Sequence, residues 1–105
     1  MKKIIGVAAC PAGIAHTYLA TESLEQAAKQ LGYEVKIETN GAGGVENRLT
    51  ETDIAEATAV IIAADTTVDK ERFRGKPMLE VSVGEAIKHA AKIIQKVEAG
   101  ELETY

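Results

Sequence analysis

The sequence has no tryptophan, one phenylalanine and three tyrosines, too few ring side chains for a surface that stacks on nucleic-acid bases. It has no basic cluster and a net charge of −4, so it lacks the positive patch a polyanion requires, and no nucleic-acid partner is expected. No apolar run approaches the ~20 residues of a membrane span. Met1, Lys2 and Lys3 lead straight into an apolar segment with no signal-peptide core or small-residue cleavage site, which points to the cytoplasm. The single cysteine, Cys10, can close no internal disulfide and cannot by itself build a zinc site; neither a metal nor a cofactor is expected. What is present suits one globular domain over residues 1–105: 46% hydrophobic and 27% charged residues, enough for one core between a sheet and its helices. A monomer is the default.

The apolar pattern then sets the order of elements. Residues 3–9 form a short apolar run, the signature of a buried parallel strand. From Ile14 the period changes: Ala20, Leu24, Ala27, Ala28 and Leu31 share one helical face, predicting a helix over residues 14–31 with Gly32 as its stop. Residues 33–39 alternate as a strand with one wetter face would, near a sheet edge, and residues 40–44 read as a glycine-dense loop. Thr50 and Asp53 resemble a capping box opening a short helix, and residues 59–64 are β-branched and apolar enough for a central strand. A single helical turn over 69–73, a fourth strand over 78–82 and a last helix opened by Ser82 and Glu85 follow, and residues 98–105 read as a frayed polar tail. Alternating strands and helices imply parallel pairing with right-handed crossovers. The expected fold is therefore α/β: one three-layer domain with a four-stranded parallel sheet in the order 2-1-3-4. Its first strand lies beside the switch point where open α/β sheets bind ligands.

Cys10 stands at that point, in the turn between the first strand and the first helix. A lone cysteine is by default a small buried hydrophobe. A strand-to-helix turn containing Pro11 and Gly13 alters that reading. Loop N–H groups and the helix dipole converge there, favouring an anion and a thiolate over a thiol. The phosphate-binding loop is read as Pro11, Ala12, Gly13, Ile14, Ala15, His16 and Thr17, with His16 and Thr17 able to add side-chain hydrogen bonds or, on the plainer reading, only to cap and pack the helix. The spacing also matches the tyrosine-phosphatase signature of cysteine, five residues, arginine, then Ser or Thr, except that His16 occupies the arginine position. A histidine cannot supply arginine's bidentate fork. The loop thus suits accepting phosphate on sulfur and passing it on better than hydrolysing it.

Residues 10–18 resemble the phosphocysteine loop of the fructose-type enzyme IIB components of the bacterial phosphoenolpyruvate-dependent sugar phosphotransferase system (PTS). The resemblance extends over nearly the whole chain, through Glu38-Thr39-Asn40-Gly41, Asn47-Arg48-Leu49-Thr50, Ala64-Asp65 and Arg72-Phe73-Arg74-Gly75-Lys76. One departure is Ala12, where the family commonly carries Thr or Ser; it removes a hydroxyl but not a backbone cradle. The resemblance implies a protein-phosphohistidine–sugar phosphotransferase. A phosphohistidine of a IIA partner donates to the catalytic residue Cys10. The phosphocysteine then donates to a sugar, most often fructose, held by the membrane component IIC, with which the protein associates. It also implies a fold like that of low-molecular-weight tyrosine phosphatases.

Other residues carry plainer readings. Asn40 and Gly41 shape a turn and stand at the possible rim of the site. Asp65 also stands at that rim, or, as the stronger reading, caps or braces a loop, because a carboxylate beside phosphate repels it. Arg72, Arg74 and Lys76 read as a solvated cluster or a docking patch for an acidic partner, and His89 as a surface residue.

Overall fold

In the computed structural model, which describes residues 2–10, 14–41 and 44–105, four parallel strands form the centre of the sheet. They are β1 (Lys3–Ala9), β2 (Glu34–Gly41), β4 (Ala59–Ala64) and β5 (Pro77–Val81), in the order β2-β1-β4-β5. Every residue of β1 is buried, as expected for a strand covered on both faces. Side chains alternate across the sheet. Ile4, Ala8, Cys10, Ile37 and Ile61 meet α1 (Ile14–Gln30) through Ala20, Leu24 and Ala28. Ile5, Val7, Val60 and Ile62 face the opposite way, toward Leu49, Ala57 and Phe73. That second face is covered by α2 (Glu51–Glu56) and a 3₁₀ turn, Glu71–Phe73. At Gly6 the backbone of the neighbouring strand comes close: a Cβ there would lie 2.7 Å from the carbonyl oxygen of Ile61.

Four expectations are corrected. First, the sheet is six-stranded and mixed, not four-stranded and parallel. The glycine-dense segment folds back as a hairpin, with β3 (Gly44–Glu46) antiparallel to β2 and Gly41 opposite Gly44. Gly44 has φ +107°, a conformation only glycine takes easily. Two glycines of that segment, Gly41 and Gly44, face each other across the antiparallel pair; Ala42 and Gly43 lie outside the described residues. Second, β2 is accordingly not the edge strand. Third, the C-terminal tail is ordered rather than frayed. β6 (Glu103–Thr104) pairs antiparallel with Pro77 and Met78, and Tyr105 exchanges backbone hydrogen bonds with Gly75 and Lys76 at 2.9 and 3.1 Å. The exposed edge of β5 offers that ladder. Fourth, the last helix is two segments, α3 (Val83–Lys88) and α4 (Ala90–Glu98), broken at His89 with φ −128° and ψ 30°. Val83, Ala86, Ala90, Ile94 and Val97 still share the core with α1.

Both capping boxes form. Thr50 and Asp53 exchange hydrogen bonds at the start of α2, as do Ser82 and Glu85 at α3. Asp53 also receives Lys3 at 2.8 Å and Lys36 at 2.7 Å. The two ammonium groups and the Thr50 N–H hold its carboxyl far below the usual carboxylate range.

Candidate active-site cleft

Cys10 directly follows β1, and α1 begins at Ile14, so the strand–turn–helix placement expected from the sequence is the one observed. Cys10 is 6% exposed. One side of it belongs to the apolar cluster under α1; the other lines a cleft of about 540 Å³ at the C-terminal ends of the parallel strands. It is therefore a recessed group with access from that cleft. Pro11, Ala12 and Gly13 lie outside the described residues. Ile14 and Ala15 open the backbone of α1, His16 is exposed, and Thr17 is buried.

A wall of the cleft is built from a pairing that the sequence does not display. Glu38, on β2, is 3% exposed and accepts three kinds of donor. Arg72 approaches it in a bidentate fork, Nη1 to Oε1 at 3.0 Å and Nη2 to Oε2 at 2.6 Å. The backbone N–H of Leu49 donates to Oε1 at 3.0 Å, and Asn40 Nδ2 to Oε2 at 3.4 Å. Burial alone would push the Glu38 carboxyl up; the Arg72 guanidinium and the Leu49 N–H outweigh it and hold the group below the ordinary carboxylate range. Arg72 is thus no member of a solvated cluster: it lines the cleft with Cys10 and closes a charge pair there. Arg74 pairs instead with Glu71 at the surface, and Lys76 donates to the carbonyls of Ala55 and Ala57 at 3.2 and 2.9 Å, satisfying the C-terminal end of α2.

Of the other expected rim residues, Asn40 lines the cleft, and Gly41 ends β2. Asp65 is exposed, and its Oδ1 accepts the N–H of Val83 at 3.1 Å while its own N–H donates to Ala9 at 3.0 Å; it braces the start of α3 against β1. Arg48, Thr66 and Thr67 join the lining from two further segments.

A strand-end cysteine facing an arginine-lined cleft has the chemistry to hold a phosphoryl group. A family profile described as "PTS system, Lactose/Cellobiose specific IIB subunit" matches residues 5–96. The chain belongs to the PTS IIB family. PTS IIB components act as phosphotransferases in sugar transport, working with IIA and IIC components of the same system. The chain is 53% identical over 98 residues to "PTS system fructose-like EIIB component 1" of Escherichia coli K12, covering 92% of this chain and 91% of the relative. It is 51% identical over 100 residues to component 2 of the same organism, covering 94% of each. Among solved structures, a domain of the fructose-specific IIABC component of Borrelia burgdorferi superposes with a TM-score of 0.94 at 41% identity, covering 99% of this chain and 98% of that one. The solution structure of a PTS enzyme IIB subunit from Escherichia coli K12 gives 0.87 at 51% identity, covering 92% and 91%. Among the described residues no helix is long and apolar enough to cross a membrane.

Proposed function

We propose that this PTS IIB domain carries the phosphoryl group on Cys10, taking it from a phosphohistidine of IIA and giving it to a sugar, fructose, held by IIC. The observation that carries the reading is the position of Cys10: a recessed sulfur between a buried strand and a long helix, open to a cleft that also holds two arginines. In the first transfer the sulfur lone pair bonds to phosphorus as the N–P bond breaks, and its electron pair returns to the donor imidazole. In the second, a sugar hydroxyl oxygen bonds to phosphorus, the S–P bond breaks with its pair on sulfur, and the hydroxyl proton passes to water. The cradle is assigned to Pro11, Ala12, Gly13, Ile14, Ala15, His16 and Thr17, every member but the proline offering a backbone N–H, with the N-terminus of α1 beside them. Asn40, Gly41 and Asp65 are assigned to its rim; of the three, Asn40 lines the cleft. Fructose is chosen because relatives at 53% and 51% identity are named fructose-like, although the family profile names lactose and cellobiose.

The test is direct. Incubation with phosphoenolpyruvate, the general phosphotransfer proteins and IIA is expected to add one phosphoryl group, located on Cys10 by mass spectrometry of the intact protein and its peptides. A Cys10→Ser chain is expected to stay unmodified. With IIC membranes, fructose is expected to discharge the phosphoprotein faster than lactose or cellobiose. Equal phosphate on the Ser variant defeats the assignment of Cys10, and discharge by cellobiose ahead of fructose defeats the choice of sugar.

A further inference from the structure

One cleft residue has no task in that relay. Arg48 is exposed, lines the same cleft as Cys10, and makes no hydrogen bond or ion pair among the described residues. The other cleft arginine, Arg72, is committed to Glu38. The cleft acids are occupied too: Glu38 by Arg72 and Leu49, and Asp69 by the N–H of Glu71 at 3.0 Å. Arg48 is therefore the cleft cation left without a counter-charge among the described residues.

The backbone on either side of it is fixed. Asn47 has φ +54°, the one non-glycine residue in the left-handed region among the described residues, a conformation that costs roughly 1 kcal/mol or more and persists where its surroundings enforce it. Leu49 is 5% exposed, and its N–H is held by Glu38. Thr50 then caps α2. The chain turns at Asn47 and is anchored at Leu49, with the Arg48 side chain on the cleft between them.

We infer that Arg48 is the phosphate-gripping cation of the cleft, its guanidinium binding two oxygens of the phosphoryl group on the Cys10 sulfur. The inference rests on the phosphocysteine reading. It brings a planar fork to the phosphoryl oxygens from the segment after the hairpin, and not from the phosphatase-like position of His16. Arg48 forms no covalent bond and moves no proton; it offsets charge on the oxygens as the phosphoryl group arrives and leaves.

Two assays on the full chain test it, with Arg48→Ala, Arg48→Lys and the surface control Lys92→Ala, an exposed residue of α4. Phosphorylation of Cys10 by phosphorylated IIA is expected to slow by about 10- to 100-fold in Arg48→Ala, to recover in part in Arg48→Lys, and to be unchanged in Lys92→Ala. The second assay needs no phosphotransfer: the alkylation rate of Cys10 by anionic iodoacetate is divided by that with neutral iodoacetamide. At low salt this ratio is expected to fall about three- to tenfold in Arg48→Ala, and the difference is expected to vanish at high salt. An unchanged ratio overturns the inference, and so does a lowered ratio with an unchanged phosphorylation rate. If the wild-type chain takes no phosphate, the relay reading fails by itself, and the alkylation ratio still decides whether Arg48 is a cation over the sulfur. Arg48 and Lys92 are both exposed, so all three variants are expected to unfold at the wild-type temperature.

Discussion

Replacing Glu38 with Gln tests whether the cleft wall is a built structure. The variant keeps the side-chain shape and an oxygen for the Leu49 N–H, but leaves the Arg72 guanidinium without its anion. Breaking a buried ion pair from one side costs about 3–5 kcal/mol when the stranded charge is fully enclosed. The Arg72 side chain is 30% exposed against 4% for Glu38, so water recovers part of that loss, and about 2 kcal/mol is expected. For a domain of this size that lowers the unfolding temperature by about 10 °C, measured by circular dichroism at pH 7. Glu38→Ala also removes the acceptor for Leu49 and is expected to cost about 3–5 kcal/mol. The pH dependence has a definite sign. The Glu38 carboxyl is held below its ordinary value in the folded state. The pair's stabilisation is therefore complete above the unfolded value of ~4.3 and is lost as the pH falls through the folded value. The gap between wild type and Glu38→Gln is widest at neutral pH and narrows from about pH 4 downward. A gap of under ~0.5 kcal/mol at pH 7, or one that widens in acid, refutes the account of this wall.

Two further outcomes follow from geometry already described. Gly6→Ala places a methyl group 2.7 Å from the Ile61 carbonyl oxygen, where backbone must move, and is expected to cost about 2–3 kcal/mol in urea titration; a cost near zero means the central strands yield more than packing allows. His16→Arg restores the fork at the phosphatase-like spacing and is expected to raise hydrolysis of p-nitrophenyl phosphate by ~10-fold or more; no rise means that the missing arginine is not what keeps the loop from hydrolysing phosphate.

The parts of the fold legible in the sequence were those written locally. The apolar run of residues 3–9, the change of period after Cys10, and the pairings of Thr50 with Asp53 and Ser82 with Glu85 each lie within a few residues, and each element begins where its pattern puts it. The cleft wall was not legible, because Glu38 and Arg72 lie 34 positions apart and meet only once β2, β1 and β4 are assembled. In sequence Glu38 is one polar residue in an alternating strand, the mark of a wet face; burial behind Arg72 reverses that meaning. A carboxylate in a segment otherwise anchored by Val35 and Ile37 was the available signal that a cation had to arrive from elsewhere. The order of the tail is illegible for a related reason: its polar composition says nothing of the open β5 edge with which it pairs.

The two short antiparallel strands have a consequence beyond the count of strands. β3 and β6 stand at opposite borders of the sheet, each too brief to template a long ladder with another molecule. Each border strand therefore offers a neighbouring molecule few free backbone groups. Cutting the chain before Glu103 would lay bare the five-residue strand Pro77–Val81 in place of a two-residue one.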